Sequence, residues 1–226
     1  MNEFNSIQEY EEWINSQDWY QKIELKNGLT TPGKFSTHKR LKYFDKIDFK
    51  GKTILDIGCN SGQYCLYAKE KGAARVVGVD TDKKRLAQAK TLALNEKVEI
   101  EYLNMNLFDL NNLGSFDIVL CVAVLTEIQD IFGAIEVLKE TIGEYCFLEL
   151  DLAKPLFYIS SSKNWFKKRL GLPRNKAVLE CRKSKYGMML SPSMEVLAYV
   201  FGEEFNLGHR GKGIRYDIVD IEKAVT

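Results

Sequence analysis

No apolar stretch of this chain reaches membrane-spanning length. Its N-terminus, Met-Asn-Glu-Phe-Asn-Ser, has neither the basic nor the apolar region of a signal peptide, and the expectation is a cytoplasmic protein without a membrane partner. A dominant charge is missing too. The formal net charge over 226 residues is only +1, so the chain needs no polyanion for solubility. The five cysteines (Cys59, Cys65, Cys121, Cys146, Cys181) are odd in number, scattered and never in C-x-x-C spacing. That argues against a disulfide framework or a metal site and reads them as small apolar residues. There is no repeat at a fixed period and no low-complexity tract. What remains is a chain with 45% hydrophobic residues, long enough for one domain with a sizeable core, or one domain plus an appendage.

One stretch stands out. Thr53-Ile-Leu-Asp-Ile-Gly-Cys-Asn-Ser-Gly62 reads as a buried strand (Ile54, Leu55, Ile57) ending in a glycine turn, with a helix opening at Gln63. The run Val76-Val-Gly-Val79 then reads as a second buried strand, ended by Asp80. Together they form a β-α-β unit with a nucleotide-sized gap at the strand ends. Gly58 and Gly62 let backbone pass close to a ligand where a side chain would block it. Asp80 lies where a carboxylate can accept hydrogen bonds from both hydroxyls of a ribose, so the unit predicts an adenosine-bearing ligand. The glycine spacing argues against a dinucleotide. Started at Gly58, the pattern G-x-G-x-x-G meets Asn60 and Gln63 where glycines are needed. Asp-x-Gly-x-x-x-Gly survives as Asp56, Gly58 and Gly62, and Asn60 tolerates the left-handed backbone such a turn needs.

Strands are predicted at 53–57, 76–79, 98–103, 116–121 and 145–150, with helices at about 63–71, 82–94, 107–112 and 131–142. Asp82 is the expected N-cap of the second of these helices, whose Leu86, Ala89 and Ala93 share one face. The alternation predicts an α/β fold, a mostly parallel sheet with helices on both faces. Residues 1–50 read as an acidic, aromatic helical cap. In it Ile7, Tyr10, Trp13, Ile14 and Trp19 recur near helical spacing, Thr30-Thr-Pro-Gly33 breaks the chain, and a second helix carries Leu41, Tyr43, Phe44 and Ile47. The core spans 51–152, followed by a basic insertion over 153–190. Between residues 154 and 185 ten Lys and Arg stand against one acid, Glu180. Residues 191–226 add a helix near 193–201 and strands at about 204–209 and 213–221. The Gly-rich link from Gly208 to Gly213 predicts that these strands form an antiparallel hairpin at the sheet edge. The whole of 1–226 reads as a single domain.

With Asp56, Gly58, Gly62 and Asp80 in register, residues 50 to 151 resemble the class I S-adenosylmethionine-dependent methyltransferases, whose first motif is an acid followed by G-x-G-x-G. Asn60 in the middle place is similar to relatives of the tRNA wobble-uridine carboxymethyltransferases. The resemblance implies a Rossmann-like methyltransferase sheet and S-adenosylmethionine as cofactor. It implies that Asp56 lies near the methionine amino group, that the loop Gly58-Asn60-Gly62 passes beneath methionine and ribose, and that Asp80 binds the ribose hydroxyls. Asn106 would meet the adenine amino group through its carbonyl oxygen, with Asp109 the substitute if the alignment shifts. Leu107 would flank the ring. Val122, after the strand Phe116-Asp-Ile-Val-Leu120, would enter the cofactor pocket. Ala123-Val-Leu-Thr-Glu-Ile-Gln-Asp130 is similar to a valine-leucine-tyrosine-histidine-leucine segment of the wobble-uridine relatives, with Thr126 and Glu127 in the tyrosine and histidine places. That departure leaves a carboxylate near the expected acceptor.

A sulfonium methyl donor is already activated, so positioning is the main task. A hydroxyl acceptor also needs a base within hydrogen-bond reach, and Glu127, then His38, are the catalytic candidates. Each has a plainer reading: Glu127 as a helix-start carboxylate, His38 and His209 as surface or turn residues. Trp13, Trp19 and Tyr20 read as core or lid aromatics or as a substrate platform, and the basic run as a solvated face or an anion site. Three functions follow. The leading one is methyl transfer to a small-molecule acceptor, anionic or sugar-type. The second is an RNA- or tRNA-modifying methyl- or carboxymethyltransferase whose basic lobe tracks phosphates, although the cap is acidic and no RNA-binding module is evident. Its carboxylated donor would need cationic partners such as Lys34 or Arg40. The third is a binding protein that keeps the cofactor without turnover. The acceptor atom and the oligomeric state stay open.

Overall fold

The computed structural model describes residues 2–36, 38–152, 179–184, 187–192, 194–212 and 217–224. Helix α1 (Ile7–Ser16) starts at Ser6, whose hydroxyl accepts the Glu9 N–H at 3.2 Å while the Glu9 carboxylate accepts the Asn5 N–H at 3.1 Å. Its Tyr10 and Ile14 bury with Trp19 against Leu92 of a core helix. Strands β1 (Gln21–Lys22) and β2 (Phe35–Ser36) form a short parallel ribbon, followed by α2 (His38–Leu41). The cap is thus helical at its start and adds a ribbon that periodicity did not foretell.

The second cap helix is a single turn, shorter than expected. Beyond it the chain turns through i→i+3 bonds, Phe44 N–H to Leu41 O at 2.8 Å and Ile47 N–H to Phe44 O at 2.9 Å. Phe44 and Phe49 both pack on Tyr67, whereas a continuous helix would point residues five apart about 140° away from each other. Burying both rings on one side therefore competes with helix continuation.

The core runs β3 (Thr53–Ile57), α3 (Gln63–Glu70), β4 (Arg75–Asp80), α4 (Lys83–Asn95), β5 (Glu101–Asn104), a 3-10 turn (Leu107–Leu113), β6 (Phe116–Val122), α5 (Ile131–Thr141) and β7 (Ile142–Leu150). A separate antiparallel hairpin, β8 (Leu179–Ser184) and β9 (Gly187–Pro192), then precedes α6 (Met194–Phe201), β10 (Phe205–Lys212) and β11 (Asp217–Lys223). The hairpin β8–β9 lies within and just beyond the stretch read as a basic insertion. Of that stretch's cations only Arg182 and Lys183 fall on β8; the other eight lie outside the described residues.

The seven-stranded sheet has the order β10-β11-β7-β6-β3-β4-β5. Strands β3 to β7 pair in parallel and β11 runs antiparallel to both β7 and β10, so the edge hairpin stands as expected. Strand β10 continues through the predicted Gly-rich link to Lys212, bulging between His209 and Gly211. His209 accordingly pairs with Val219 in the sheet, a correction to its reading as a turn residue.

Alternation along β3 decides what faces what. Ile54 joins Ile118, Leu120 and Phe147 in a core beneath α3, α4 and the cap; Leu55 and Ile57 join Val119, Cys121 and Leu148 in a core beneath α5 and α6. Asp56 therefore falls on the α3 side. Asp82 caps α4, accepting the Lys84 and Arg85 N–H groups at 2.8 and 3.2 Å. Cys59, Cys65, Cys121 and Cys146 are buried free thiols. No helix among the described residues is long and apolar enough to cross a membrane.

Candidate functional site

Strand order reverses between β3 and β6, which opens a crevice at the carboxyl ends of the strands. The loop from Gly58 to Gly62 occupies it. The Gly58 and Cys59 N–H groups donate to Val79 O at 2.8 and 3.0 Å, binding the loop to the end of β4. Gly58, Asn60 and Gly62 all have positive φ (69°, 52° and 86°). Asn60 thus takes the left-handed conformation expected of it. Its Oδ1 accepts the Ser61 N–H at 2.9 Å, which offsets part of the steric cost.

Asp80 organises the loop from the other side. Its Oδ2 accepts the Asn60 N–H and its Oδ1 accepts the Asp82 N–H, each at 2.8 Å. Each oxygen keeps a further lone pair for a ligand hydroxyl. The glycines are also needed for packing. A Cβ at position 58 would stand 2.6 Å from Val124 Cγ2, and one at position 62 would overlap the Tyr102 hydroxyl.

Asp56 is 1% exposed. Its Oδ2 accepts the Cys65 thiol at 3.2 Å, and its Oδ1 has no hydrogen-bond partner among the described residues. Burial pushes its pKa up to about 7; the thiol opposes the shift and the Asp80 charge adds to it. An acid whose folded-state pKa lies above its unfolded value loses stability as pH rises from the unfolded towards the folded pKa, and the loss is complete above the latter. Asp56→Asn is therefore expected to stabilise the fold above pH 7, by at most a few kcal/mol, with a gain that shrinks towards pH 4. Thermal melts of both proteins across that range test this. Curves displaced by the same amount at every pH would contradict it.

The remaining candidates are spread along the same edge. Asn106 is exposed two residues beyond β5 and caps the 3-10 turn, its Oδ1 accepting the Phe108 N–H at 3.1 Å. Leu107 points into the core beneath α5, whereas Phe108 and Asp109 are exposed. Val122 ends β6 opposite Glu149, on the α3 side. Beyond it Ala123 has φ 62°, a strained value for a residue with a Cβ. Thr126 ties that corner through its hydroxyl to Ala123 O at 2.7 Å, and Glu127 is exposed in the turn that follows. His38 is exposed on α2, its Nδ1 3.8 Å from Glu24 Oε2. Lys34 is exposed, while Arg40 donates from Nε to Glu149 Oε2 at 2.7 Å.

Two sets of contacts were not foreseen. Gln21 of the cap reaches the glycine loop, its Oε1 accepting the Ser61 N–H at 3.2 Å. Ser61 in turn donates to Gln88, and Gln88 donates to Asp18 O. Gly33 permits this arrangement, because a Cβ there would collide with the Gln21 carbonyl. The second set is the pair Arg40–Glu149, whose one visible sign in the sequence is an acid inside the apolar run Tyr145–Leu150. Among the described residues no group of three or more His, Cys, Asp or Glu is placed to hold a metal ion.

Fold and loop define a Rossmann-like α/β protein with a ligand crevice at the switch point of its sheet. Residues 54–141 match the family profile described as "Methyltransferase domain". The resemblance to the class I S-adenosylmethionine-dependent methyltransferases is thereby borne out for the core. A tRNA U34 carboxymethyltransferase from Campylobacter lari is 30% identical over 105 residues, which are 46% of this chain and 36% of that protein. A ubiquinone biosynthesis O-methyltransferase from Neisseria meningitidis serogroup C is 36% identical over 95 residues, 40% of each chain. This chain thus spans less than half the length of these curated relatives. Among solved structures, the N-terminal domain of EvdMO1 with SAH bound aligns with a TM-score of 0.71 at 13% identity. It covers 97% of this chain and 98% of that one, a likeness that shows the fold.

Proposed function

We propose that this chain is an S-adenosylmethionine-dependent methyltransferase acting on a small, anionic or sugar-type acceptor. The observation that carries this reading is the pairing of Asp80, which holds the glycine loop through both oxygens, with Asp56, a buried carboxylate that has an unpartnered oxygen. The residues fit the donor: Asp80 keeps lone pairs for the ribose hydroxyls, and Asp56 offers an acceptor to an ammonium group. When bound, S-adenosylmethionine would supply an activated methyl group: the acceptor lone pair would bond to the methyl carbon as the C–S bond breaks, its electron pair leaving on sulfur as the thioether S-adenosylhomocysteine. Asn106 would meet the adenine amino group, Leu107 and Val122 would line the pocket, and the loop Gly58-Asn60-Gly62 would lie beneath the ligand.

The chain's own part is to position both molecules and to move a proton. For a hydroxyl acceptor, Glu127 takes that proton, with His38 the second candidate. Glu127→Gln is expected to lower turnover by about 100-fold or more and to leave donor affinity nearly unchanged. Calorimetry with S-adenosylhomocysteine beside a labelled-methyl assay tests the division of roles, and equal loss of donor affinity would end it. In this reading the chain is one domain, and the cations between 154 and 185 favour an anionic acceptor. The ubiquinone-pathway relative favours a small acceptor, the carboxymethyltransferase an RNA one. Mass spectrometry of gently purified protein, then a labelled-donor screen of metabolite and RNA fractions, distinguishes them. Label entering only RNA, with salt-sensitive binding, would replace the small-acceptor reading.

A further inference from the structure

The cap segment from Trp19 to Leu25 alternates without a break: Trp19, Gln21, Ile23 and Leu25 are buried, and Tyr20, Lys22 and Glu24 are exposed. Gln21 is the one polar side chain on the buried face, at 5% exposure, and it stands where that face meets the glycine loop. Its Oε1 and the Asn60 Oδ1 share the Ser61 N–H, at 3.2 and 2.9 Å. Ser61 is itself buried, and its hydroxyl donates to Gln88 Oε1 at 2.9 Å. Gln88 returns to the cap by donating to Asp18 O at 2.9 Å, and Arg85 donates to the same carbonyl. Three buried polar side chains, one each from cap, loop and α4, are thus joined in a closed circuit. The rest of the cap is held by other means. Tyr10, Ile14 and Trp19 pack on Leu92 of α4. Thr31 ties β1 to the segment before β2, its hydroxyl donating to Gln21 O at 2.7 Å and accepting the Ile23 N–H at 2.8 Å. Apolar packing seats the cap on α4, and Gln21 carries it to the loop.

We infer that Gln21 is a positioning residue of the donor site: it locks the glycine loop to the cap, so that donor binding and cap docking reinforce each other. The inference rests on the methyltransferase reading, in which the donor lies on this loop. With positive φ at Gly58, Asn60 and Gly62, the loop keeps its shape through the bonds that hold its N–H groups. Val79 fixes Gly58 and Cys59, Asp80 fixes Asn60, and Gln21 fixes Ser61 from the cap. Fold stability alone does not call for a glutamine here, because an apolar residue would continue the face made by Trp19, Ile23 and Leu25. Without Gln21 the Ser61 N–H still has Asn60 as an acceptor, so little stability is lost. The loop must then be brought into place at the moment of binding, and that cost falls on affinity. Linkage makes the effect reciprocal: a donor that orders the loop tightens the cap by the same factor.

The test is calorimetric titration of the full chain with S-adenosylhomocysteine, joined to hydrogen–deuterium exchange. Saturating S-adenosylhomocysteine should slow exchange of the Ile23 and Thr31 amides, which bond within the cap, by about threefold or more. Gln21→Met keeps the length of the side chain without its acceptor. It should weaken binding by about three- to tenfold, the equivalent of one hydrogen bond, and abolish the cap protection at a nearly unchanged melting temperature. Ile14→Ala is the control: it hollows the cap's own core, so it should lower the melting temperature further yet bind the ligand as the wild type does. Affinity that falls in step with stability in both variants would make Gln21 merely structural and overturn the inference. So would wild-type affinity in Gln21→Met, or a liganded wild type whose cap amides exchange no more slowly. In each of these cases the wild type binds, and the methyltransferase reading stands. Absence of binding by the wild type would overturn that reading and this inference together. The wild-type exchange decides even where Gln21→Met does not fold.

Discussion

Asp80→Ala is expected to weaken binding of S-adenosylmethionine or S-adenosylhomocysteine by at least about 100-fold, on the order of 3 kcal/mol. Two losses combine in this variant. The proposed ribose contacts disappear, and so do the acceptors for the Asn60 and Asp82 N–H groups, each at 2.8 Å. The first loss removes ligand binding directly. The second releases the left-handed corner at Asn60, so that the loop must be ordered at the moment of binding. Hydrogen bonds from backbone N–H to a carboxylate contribute about 1.5–3 kcal/mol each, so the melting temperature should fall as well. Asp80→Asn should land between the two proteins, because an amide oxygen replaces one acceptor while its NH2 faces the other N–H. Calorimetry on the three proteins tests the ranking. Wild-type affinity in Asp80→Ala would remove Asp80 from the site.

Gly58→Ala should have the largest effect on the loop itself, a loss of about 2–4 kcal/mol in stability together with most of the turnover. The residue has φ 69°, where a Cβ is strained whatever space surrounds it. That Cβ would also stand 2.6 Å from Val124 Cγ2. Val124 has little room to retreat: it follows the strained Ala123, whose N–H is fixed to Glu149 O at 2.9 Å. The loop proposed for the donor and the turn bearing Glu127 are therefore in steric register. Adding Val124→Ala should recover the steric part and leave the backbone part, a coupling of about 1–2 kcal/mol in a double-mutant cycle. Simple additivity of the two changes in thermal and denaturant melts would show that the segments are independent.

Legibility in the sequence followed sequence separation. Strand β3, the turn from Gly58 to Gly62, helix α3, strand β4 and Asp80 lie within 28 consecutive residues, 53 to 80, and each element announces itself by an apolar run, a glycine or a terminal charge. Asp82 and α4 were readable on the same local grounds. The pair Arg40–Glu149 joins residues 109 positions apart, and Gln21 meets Ser61 across 40, so no local pattern encodes either contact. Strands β1 and β2 have two residues each, too few for any periodicity to show. The truncated second cap helix reflects tertiary packing of Phe44 and Phe49 overriding a helical apolar pattern. Glu149 inside a buried strand requires a buried cationic partner, a demand legible in the sequence before the partner is known.

The central claim is that the crevice between β3 and β6 holds an S-adenosyl donor. Calorimetric titration of the purified chain with S-adenosylhomocysteine tests it most directly, because product binding needs no knowledge of the acceptor. One site per chain, lost in Asp80→Ala while the variant still unfolds cooperatively, is the predicted result. A folded wild-type protein that releases no binding heat and gains no thermal stability with saturating ligand would contradict the account.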